Sequence, residues 1–178
     1  GGSISNADPA AEYPAALLTL DGEMLVRSKH EKRRIKASDF FKGIMDTAIE
    51  PNELLVEIIV PKVPPGTGFA FVEISRRHGD YALAGIAAQM TLSGKTVTNV
   101  RLAAGGGGPC PIRLNDAEKQ IVDDGLTEKS IQSAAKAAAL ETDPETDLHA
   151  TADYRRRLTA VLTQQALLKA KERAQEIN

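Results

Sequence analysis

The opening residues combine glycine with short polar side chains in a way that suits a phosphate or a sugar. Gly1 and Gly2 let backbone N–H groups approach a ligand closely, and Ser3 and Asn6 add short polar groups. The segment leads to Asp8, which precedes a proline and is typical of a helix start, and a helix amino terminus favours anions. A nucleotide phosphate or ribose is therefore one candidate ligand. The alternative is a polar loop that only caps a helix, or a cloning remnant, and residue types alone favour this alternative.

A second group of chemically useful side chains follows a predicted strand. Asp80 and Tyr81 place a carboxylate and a phenol beside the cations Arg76 and Arg77 within one turn. Loops held by a rigid scaffold often carry binding residues, so a ligand loop is possible here. On residue types alone, a structural hairpin explains the turn better.

The other candidate groups are better explained by structural roles. The glycine run 105–108 lacks the Gly-Lys-Ser/Thr ending of a phosphate loop and predicts a tight turn or a bulge. The arginine run 155–157 points in three directions around a helix and predicts a solvated face with salt bridges. Cys110 has no activating base nearby in sequence and predicts an ordinary thiol. Three scattered histidines predict solvated side chains rather than metal ligands: His30, His78 and His149.

Composition excludes several classes of function. The chain has 178 residues, a formal net charge of -2 and no Trp, which argues against a surface built for nucleic-acid phosphates or stacked bases. A single cysteine excludes an internal disulfide or a site of several thiolates, and it fits a reducing compartment. No apolar run approaches the roughly 20 residues that span a bilayer. The start has neither a signal-peptide pattern nor an initiator Met, so we expect a processed, cut or separately expressed piece.

The elements that must position these residues begin with a small half of mixed helix and strand. Asp8 is expected to cap a helix over 10–18, and Ser38 is expected to cap a second short helix that carries Phe40 and Phe41. A charged turn joins the first two of three predicted strands. These strands cover 23–28, 33–35 and 54–60.

A linker rich in proline and glycine, 62–68, precedes a second half of different character. Three strands are predicted there, over 69–75, 82–92 and 96–103, followed by three helices. The first helix has a variant capping box formed by Asn115 and Glu118, and the second covers 127–140. The third helix, 152–176, has one apolar side, which would be an interface or part of the core and is formed by Tyr154, Leu158, Val161, Leu162 and Leu168. An antiparallel sheet followed by helices is an α+β pattern.

Five strings in this sequence resemble, in the same order, those of the flavin-carrying subunits of molybdenum hydroxylases, of the xanthine dehydrogenase and carbon monoxide dehydrogenase type. Residues 1–12 resemble the second flavin-binding segment of that family, and 75–82 is similar to its Arg-Arg-x-Gly-Asp-Tyr/Trp-Ala turn. Residues 54–58 resemble its last strand before the domain joint, and 102–107 its strand-to-glycine turn. Residues 153–158 resemble its final-helix signature.

The resemblance implies a division of labour among subunits and within the chain. Residues 1–61 would be the second part of an FAD-binding α/β subdomain, 62–68 a linker, and 69–178 a domain like the carboxy-terminal domain of CO dehydrogenase flavoproteins. The chain would be an oxidoreductase subunit in the cytoplasm, in which FAD passes electrons from iron–sulfur clusters to NAD or another acceptor. The molybdenum cofactor would belong to a large partner subunit and the 2Fe-2S clusters to a small one. FAD supplies the redox chemistry, so no catalytic side chain or metal ligand is expected here.

Residues that would contact FAD follow from their positions in the matching strings. Glu12 would hold the adenosine portion, and Leu55 would cover one face of the isoalloxazine. Asp80 and Tyr81 would approach from the second domain, so the opening segment and the Asp-Tyr bend are expected to meet around the same dinucleotide. The implied set is Gly1, Gly2, Ser3, Asn6, Asp8, Glu12, Leu55, Asp80 and Tyr81.

Two other functions stay open. In the first, residues 66–178 serve only as a docking module of the same kind of complex, with no contact to a cofactor. The second is a flavoenzyme of the vanillyl-alcohol-oxidase type with its own substrate site, which is disfavoured because no covalent flavin attachment or substrate base stands out. The resembling family has an upstream half with another Gly-Gly loop for the pyrophosphate, which would lie before Gly1. We therefore expect the isolated chain to bind FAD weakly or not at all.

Overall fold

The computed structural model describes residues 1–177, and its elements fall into two halves along the chain. The helices within this range are α1 (Gly2–Asn6), α2 (Glu12–Thr19), α3 (Ala37–Phe40), α4 (Asn115–Asp124), α5 (Glu128–Glu141) and α6 (Ala152–Glu176). The strands are β1 (Glu23–Arg27), β2 (Lys32–Lys36), β3 (Phe41–Gly43), β4 (Asp46–Thr47), β5 (Leu54–Ile59), β6 (Thr67–Ser75), β7 (Ala82–Ser93), β8 (Thr96–Gly105) and β9 (Ile112–Arg113).

The main sheet of the first half is three-stranded and antiparallel, in the order β2-β1-β5. Side chains alternate along a strand, and this puts Met24 and Val26 of β1 on the covered face, where both are fully buried. The same core contains residues of α2 together with Phe40 and Phe41, whose rings meet edge to face at a centroid distance of 5.1 Å. The predicted strand pair around the charged turn and the predicted strand before the linker are confirmed.

A four-stranded antiparallel sheet in the order β6-β7-β8-β9 forms the centre of the second half. Helix α6 packs on β6 and β7, while α2 of the first half packs on β7 and β8. Successive residues of β7 point to opposite faces, so Ala88 enters the core of the second half and Ala87 enters the core of the first. Because both faces are covered, almost the whole of β7 is buried. The predicted α+β architecture is confirmed.

The predicted apolar side of helix α6 is divided between the core and solvent. Leu162 is buried and Leu158 packs partly buried against the core, whereas Tyr154, Val161 and Leu168 are 43%, 52% and 50% exposed. The buried face of the helix consists of Arg155, Thr159, Leu162, Thr163, Ala166, Leu167, Ala170 and Ala174. Small residues are needed there because the backbones meet closely: a Cβ on Gly68 of β6 would lie 2.1 Å from the carbonyl oxygen of Ala170. Within residues 1–177, neither α6 nor any other helix combines the length and apolarity that crossing a membrane requires.

Two predicted helix starts in the first half are wrong. Helix α2 begins at Glu12, and Asp8 accepts a hydrogen bond at 2.9 Å from the N–H of Ala10, before the helix, instead of capping it. Helix α3 begins one residue before Ser38 and ends at Phe40, so the chain continues as strand β3 where a longer helix was expected. The first difference arises because a short polar side chain such as that of Asp8 satisfies a turn as readily as a helix end.

The predicted capping box at the start of α4 is also wrong. Asn115 is the first helical residue, and Glu118 accepts at 2.7 Å from the backbone N–H of Leu102 on β8 rather than reaching back along its own helix. The cap comes from Glu141 at the end of α5, whose carboxylate accepts from both N–H groups of residues 116–117 at 3.0 Å. A side chain distant in sequence therefore supplies the acceptors that the helix start needs.

Candidate functional site

The turn between β6 and β7 presents the Asp80–Tyr81 pair at the surface. Gly79 adopts a φ of +81°, and the N–H of Asp80 donates to the carbonyl oxygen of Arg77 at 3.1 Å, which closes the turn. The Asp80 carboxylate accepts from its neighbour's N–H at 3.0 Å and from the Arg76 guanidinium at 3.2 Å. These bonds hold the carboxylate in place while the Tyr81 side chain stays 64% exposed. The turn is a hairpin connection that also leaves an aromatic ring free to meet a ligand.

The opening segment is helical, not the polar loop that its composition predicts. Residues Gly2–Asn6 form the single-turn helix α1, from which the side chains of Ser3 and Asn6 project into solvent. A Cβ added to Gly1 or Gly2 would meet no atom of the described chain within 4 Å. Nothing within residues 1–177 therefore requires glycine at these two positions, and their backbone is open to an approaching group.

Part of the opening segment reaches the Asp-Tyr bend. A concavity of about 110 Å³ lies beside Tyr81, and Glu12 also lines it. Its lining residues are Ala10, Glu12, Gly79, Asp80, Tyr81 and Ala82. The lining does not include Gly1, Gly2, Ser3 or Asn6, and the half-buried Leu55 packs against the core of the first half. The fold therefore brings together Glu12, Asp80 and Tyr81 from the predicted set.

The charged residues that line this concavity are both acidic, and one of them, Asp80, is paired with Arg76. Glu12 and Asp80 both face it, and partial burial together with the nearby charge of Glu12 raises the pKa of Glu73 on β6. Carboxylates accept hydrogen bonds from hydroxyl or amine groups and repel phosphates. The bend therefore offers acceptors for the hydroxyl groups of a ligand and an exposed aromatic ring.

The glycine run after β8 forms a tight turn, as predicted, and it joins the two halves. Gly106 has a φ of +69°, and its N–H donates to the carbonyl oxygen of Pro9 at 2.7 Å. A Cβ at Gly106 would lie 3.2 Å from the carbonyl oxygen of Leu83, near the start of β7. Glycine is needed here because the backbone of the turn passes close to the strand that follows Tyr81.

The prediction of a solvated arginine run holds for two of its three members. Arg156 pairs with Asp143 at 3.0 Å on the surface, and Arg157 is exposed. Arg155, in contrast, is only 9% exposed. Its guanidinium donates to the carbonyl oxygen of Leu83 and to a carboxylate oxygen of Asp147, both at 2.7 Å. The burial of Arg155 could have been predicted from helical spacing. Arg155 lies four residues before Thr159 and seven before Leu162, and it shares the buried face of α6 with them.

Asp147 organises the loop between α5 and α6. One carboxylate oxygen accepts from the N–H groups of His149 at 2.8 Å and Ala150 at 2.9 Å, and the other accepts from Arg155. The two backbone donors and the guanidinium lower the pKa of Asp147 to about 2. The loop, the helix and the start of β7 are therefore linked through one ion pair beside a concavity of about 210 Å³ that adjoins the Asp-Tyr bend.

Among the remaining candidate groups, the structure reveals no further reactive cluster. The three histidines are exposed, and within residues 1–177 no group of three or more His, Cys, Asp or Glu side chains could hold a metal ion. Cys110 is half-buried, and burial raises the pKa of its thiol, which lowers its reactivity. The exposure of the three histidines agrees with the solvated side chains predicted from sequence.

A larger, mostly apolar concavity lies elsewhere. It encloses about 650 Å³ between the end of α2, the segment 60–63 that follows β5, and the edge strand β6. The charged residues in its lining are Lys62 and Arg173. The hydroxyl group of Thr19, which also lines it, is hydrogen-bonded to backbone carbonyl oxygens. Sequence reasoning missed this feature, since it arises only where the two halves meet. It shares no residue with the concavity at the Asp-Tyr bend.

Comparison with protein families assigns both halves of the chain. Residues 1–63 match the FAD binding domain in molybdopterin dehydrogenase, and residues 69–170 match the CO dehydrogenase flavoprotein C-terminal domain. The two matches together account for almost the whole sequence.

Individual proteins agree with these matches. The alpha subunit of the 6-hydroxypseudooxynicotine dehydrogenase complex from Paenarthrobacter nicotinovorans is 40% identical over 98% of this chain and 59% of its own length. The medium chain of carbon monoxide dehydrogenase from Hydrogenophaga pseudoflava is 32% identical over 94% of this chain and 58% of its own. The chain therefore spans somewhat less than 60% of the length of these relatives.

A solved structure shows the same fold. Carbon monoxide dehydrogenase from Hydrogenophaga pseudoflava, in a form that lacks the Mo-pyranopterin moiety of the molybdenum cofactor, superposes with a TM-score of 0.94 at 34% identity, over 97% of this chain and 60% of that one. This chain belongs to the family of FAD-binding subunits of molybdenum hydroxylases, of the carbon monoxide dehydrogenase and xanthine dehydrogenase type. The resemblance drawn from its sequence strings is confirmed.

Proposed function

We propose that this chain forms the carboxy-terminal part of a flavoprotein subunit in a molybdenum-containing hydroxylase or dehydrogenase, and that it passes electrons from iron–sulfur clusters through FAD to an acceptor. The observation that carries the proposal is the shared concavity of Glu12 with Asp80 and Tyr81. Its walls come from both family-matched segments, one on each side of the linker. A cofactor held between two such segments would be oriented by both.

The residues at this concavity fit one side of a dinucleotide. The exposed Tyr81 ring provides a flat apolar face against which an aromatic ring can stack. Glu12 and Asp80 provide carboxylates that accept hydrogen bonds from hydroxyl groups. A volume of about 110 Å³ holds only part of FAD, so we propose that the pyrophosphate is bound by an upstream segment of the complete subunit.

The other residues of the implied set keep their proposed roles. Ser3 and Asn6 expose polar side chains at the opening helix, and the backbone of Gly1 and Gly2 is open to close approach. Leu55 would bring an apolar side chain towards the isoalloxazine from β5, and Asp8 would contribute from the neighbouring concavity of about 360 Å³. FAD, when bound, supplies the redox chemistry, and the side chains bind it, orient it and exclude water from it.

The partners proposed for such a subunit are a large subunit with the molybdenum cofactor and a small subunit with 2Fe-2S clusters. NAD or another compound would accept the electrons, and the complex would work in the cytoplasm. These proposals rest on the family of the chain and on the dehydrogenase subunits among its relatives.

The test replaces Tyr81 with alanine in the complete subunit within its assembled complex. We expect a loss of FAD occupancy, or slower reduction of FAD by substrate, with assembly intact. Leu140→Ala is the control, because it also removes an exposed apolar side chain but lies on α5, outside the concavity. Equal FAD content and equal reduction rates in the two variants would refute the proposed role of the bend.

The isolated 178-residue chain offers a second test. We predict that it binds FAD weakly or not at all, because the proposed upstream contacts to the pyrophosphate are missing. Titration of the chain with FAD, followed by flavin fluorescence, measures this directly. Stoichiometric binding with a full flavin spectrum would show that the described residues suffice.

A docking module is the second candidate function, and the outer face of α6 favours it. Tyr154, Val161 and Leu168 form an exposed apolar stripe at seven-residue intervals. If the second half only docks subunits, Val161→Lys should abolish assembly, while Asp80→Asn and Tyr81→Ala should leave both assembly and FAD unchanged. Loss of flavin function in the bend variants with intact assembly favours the electron-transfer role.

A further inference from the structure

The start of β7 contains a β-bulge next to the Asp-Tyr bend. The register between β6 and β7 passes from the pair Ile74–Ala84 to the pair Ser75–Ala82, so Leu83 has no partner on β6. On the other side, pairing with β8 begins only at Gly85. The carbonyl oxygen of Leu83 is thus an acceptor in a buried residue, outside both ladders of the sheet. A buried carbonyl group needs a donor from elsewhere.

Arg155 supplies that donor. Its Nη1 donates to the Leu83 oxygen at 2.7 Å, and its Nη2 donates to Asp147 at the same distance. The guanidinium is planar and spans two acceptors at once, which a lysine ammonium on its flexible stem does less well. The arrangement is costly, since Nε of Arg155 is buried and has no hydrogen-bond partner within residues 1–177. A side chain that only filled space in the first turn of α6 would not need to be a cation. The specific contribution of Arg155 is therefore its pair of hydrogen bonds.

The bend depends on this anchor for its direction. Its own bonds, between Arg76 and Asp80 and within the turn, lie at the surface and connect the bend only to itself. A bulge changes the direction of the residues that precede it, and Leu83 is two residues after Tyr81. The position of the Leu83 carbonyl group therefore sets where the Tyr81 ring points.

We propose that Arg155 is a positioning residue that acts on the flavin through Tyr81, by holding the bulge at Leu83. This inference rests on the proposed function, in which Tyr81 lies against FAD. Arg155 does not touch the cofactor in this scheme. It fixes the direction of the bend through one hydrogen bond, and Asp147 holds the guanidinium in place from the opposite side.

The test is a double-mutant cycle in the complete subunit within its assembled complex. Arg155→Lys, Tyr81→Ala and the double variant are compared by the midpoint potential of bound FAD, its visible circular dichroism and the melting temperature. Arg155→Lys should shift the potential and the dichroism in the parent protein, and the shift should largely vanish in the Tyr81→Ala background. The loss of melting temperature should be the same in both backgrounds. Arg157→Lys, an exposed arginine two residues further along α6, should change none of these.

Asp147→Asn gives an independent arm if the lysine variant folds poorly. This variant keeps the hydrogen bond between Arg155 and Leu83 but weakens the contact of the guanidinium with residue 147. We therefore expect a smaller shift in the midpoint potential of FAD, with the same sign. The positioning role is refuted if Tyr81→Ala shifts the midpoint potential while Arg155→Lys and Asp147→Asn both leave it unchanged. It is also refuted if the shifts caused by these two variants persist in the Tyr81→Ala background. If Tyr81→Ala itself has no effect on FAD, the proposed function of the bend fails, and the inference fails with it.

Discussion

The backbone N–H of Gly106 donates to the carbonyl oxygen of Pro9 at 2.7 Å, and this bond ties the opening segment to the glycine turn of the second half. The same turn lies so close to Leu83, at the start of β7, that a Cβ added at Gly106 would be 3.2 Å from the carbonyl oxygen of Leu83. Glu12, which follows Pro9, and Tyr81, which precedes Leu83, are therefore held at one place on the molecule. The opening segment and the glycine turn are about one hundred residues apart in the sequence. Their pairing depends on how closely the turn can approach Pro9.

Substitution of Gly106 by alanine should destabilise the fold through two effects. The φ of +69° is unfavourable for a residue with a Cβ, and the added Cβ would lie 3.2 Å from the Leu83 carbonyl oxygen. We expect a loss of about 2 kcal/mol in the free energy of unfolding, measured by urea denaturation. Gly94→Ala is the control, because Gly94 has a φ of +59° with nothing within 4 Å of its Cβ position, and it should lose only about 1 kcal/mol. Equal losses would show that the contact with Leu83 costs nothing.

Gly68→Ala should be more damaging than Gly106→Ala or Gly94→Ala. Its Cβ would lie 2.1 Å from the carbonyl oxygen of Ala170 and 2.3 Å from the N of Ala174, and backbone atoms cannot rotate aside. Helix α6 would have to move away from β6, at a cost of about 3 kcal/mol or more. Thermal unfolding followed by circular dichroism measures the effect. Gly43→Ala, whose Cβ would meet only Asp46 at 3.8 Å, should melt close to the parent protein, and a similar melting temperature for both variants would contradict the close packing.

The ion pair of Glu53 with Arg33 should make stability depend on pH. Both guanidinium donors reach the carboxylate at 2.7 Å, and the Arg33 bond, together with the Glu50 N–H, lowers the pKa of Glu53 from 4.5 to about 2. A lowered pKa in the folded state stabilises the protein fully above the unfolded pKa, and the gain is lost as the pH falls through the folded value. Glu53→Gln should therefore lower stability at neutral pH, with the difference from the parent shrinking between pH 4.5 and about 2.

Urea unfolding at a series of pH values tests this dependence. Glu57→Gln serves as the control, because Glu57 is an exposed carboxylate on β5, the strand that begins directly after Glu53. The control variant should differ little from the parent protein at any pH in the series. A Glu53→Gln difference that stays constant down to pH 2 would rule out the ion pair as its source.

Glu141→Ala should weaken the start of α4, although Glu141 belongs to α5. Its carboxylate accepts from the N–H groups of Asp116 and Ala117, both at 3.0 Å, and removal of a cap typically costs about 1 kcal/mol. Hydrogen exchange of these two amides should accelerate more than that of amides in the middle of α4. Glu172→Ala removes an exposed carboxylate from α6 and should leave the α4 amides unchanged. Unchanged protection in Glu141→Ala would mean that water replaces the cap without cost.

Local sequence patterns predicted the long elements well and the helix ends poorly. The hairpin of β7 and β8 followed from two apolar runs around a Ser-Gly-Lys turn, and the extent of α6 was also predicted. The caps failed because Asp8, Asn115 and Glu118 can satisfy several kinds of backbone group, and only the folded chain decides which group is near. The packed face of α6 was predicted only in part, because close contact with β6 selects small residues over large apolar ones.

By itself, the sequence determined the alternation of strands and helices, the α+β class and the family, because these depend on periodicity, turn residues and short strings that can be read along the chain. The tertiary structure decided which residues meet. The concavity shared by Glu12 and Tyr81, the bulge held by Arg155 and the cap supplied by Glu141 all join segments far apart in the chain. Their geometry is set by how α2 and α6 pack on the two faces of one sheet, and this packing leaves no local pattern in the sequence.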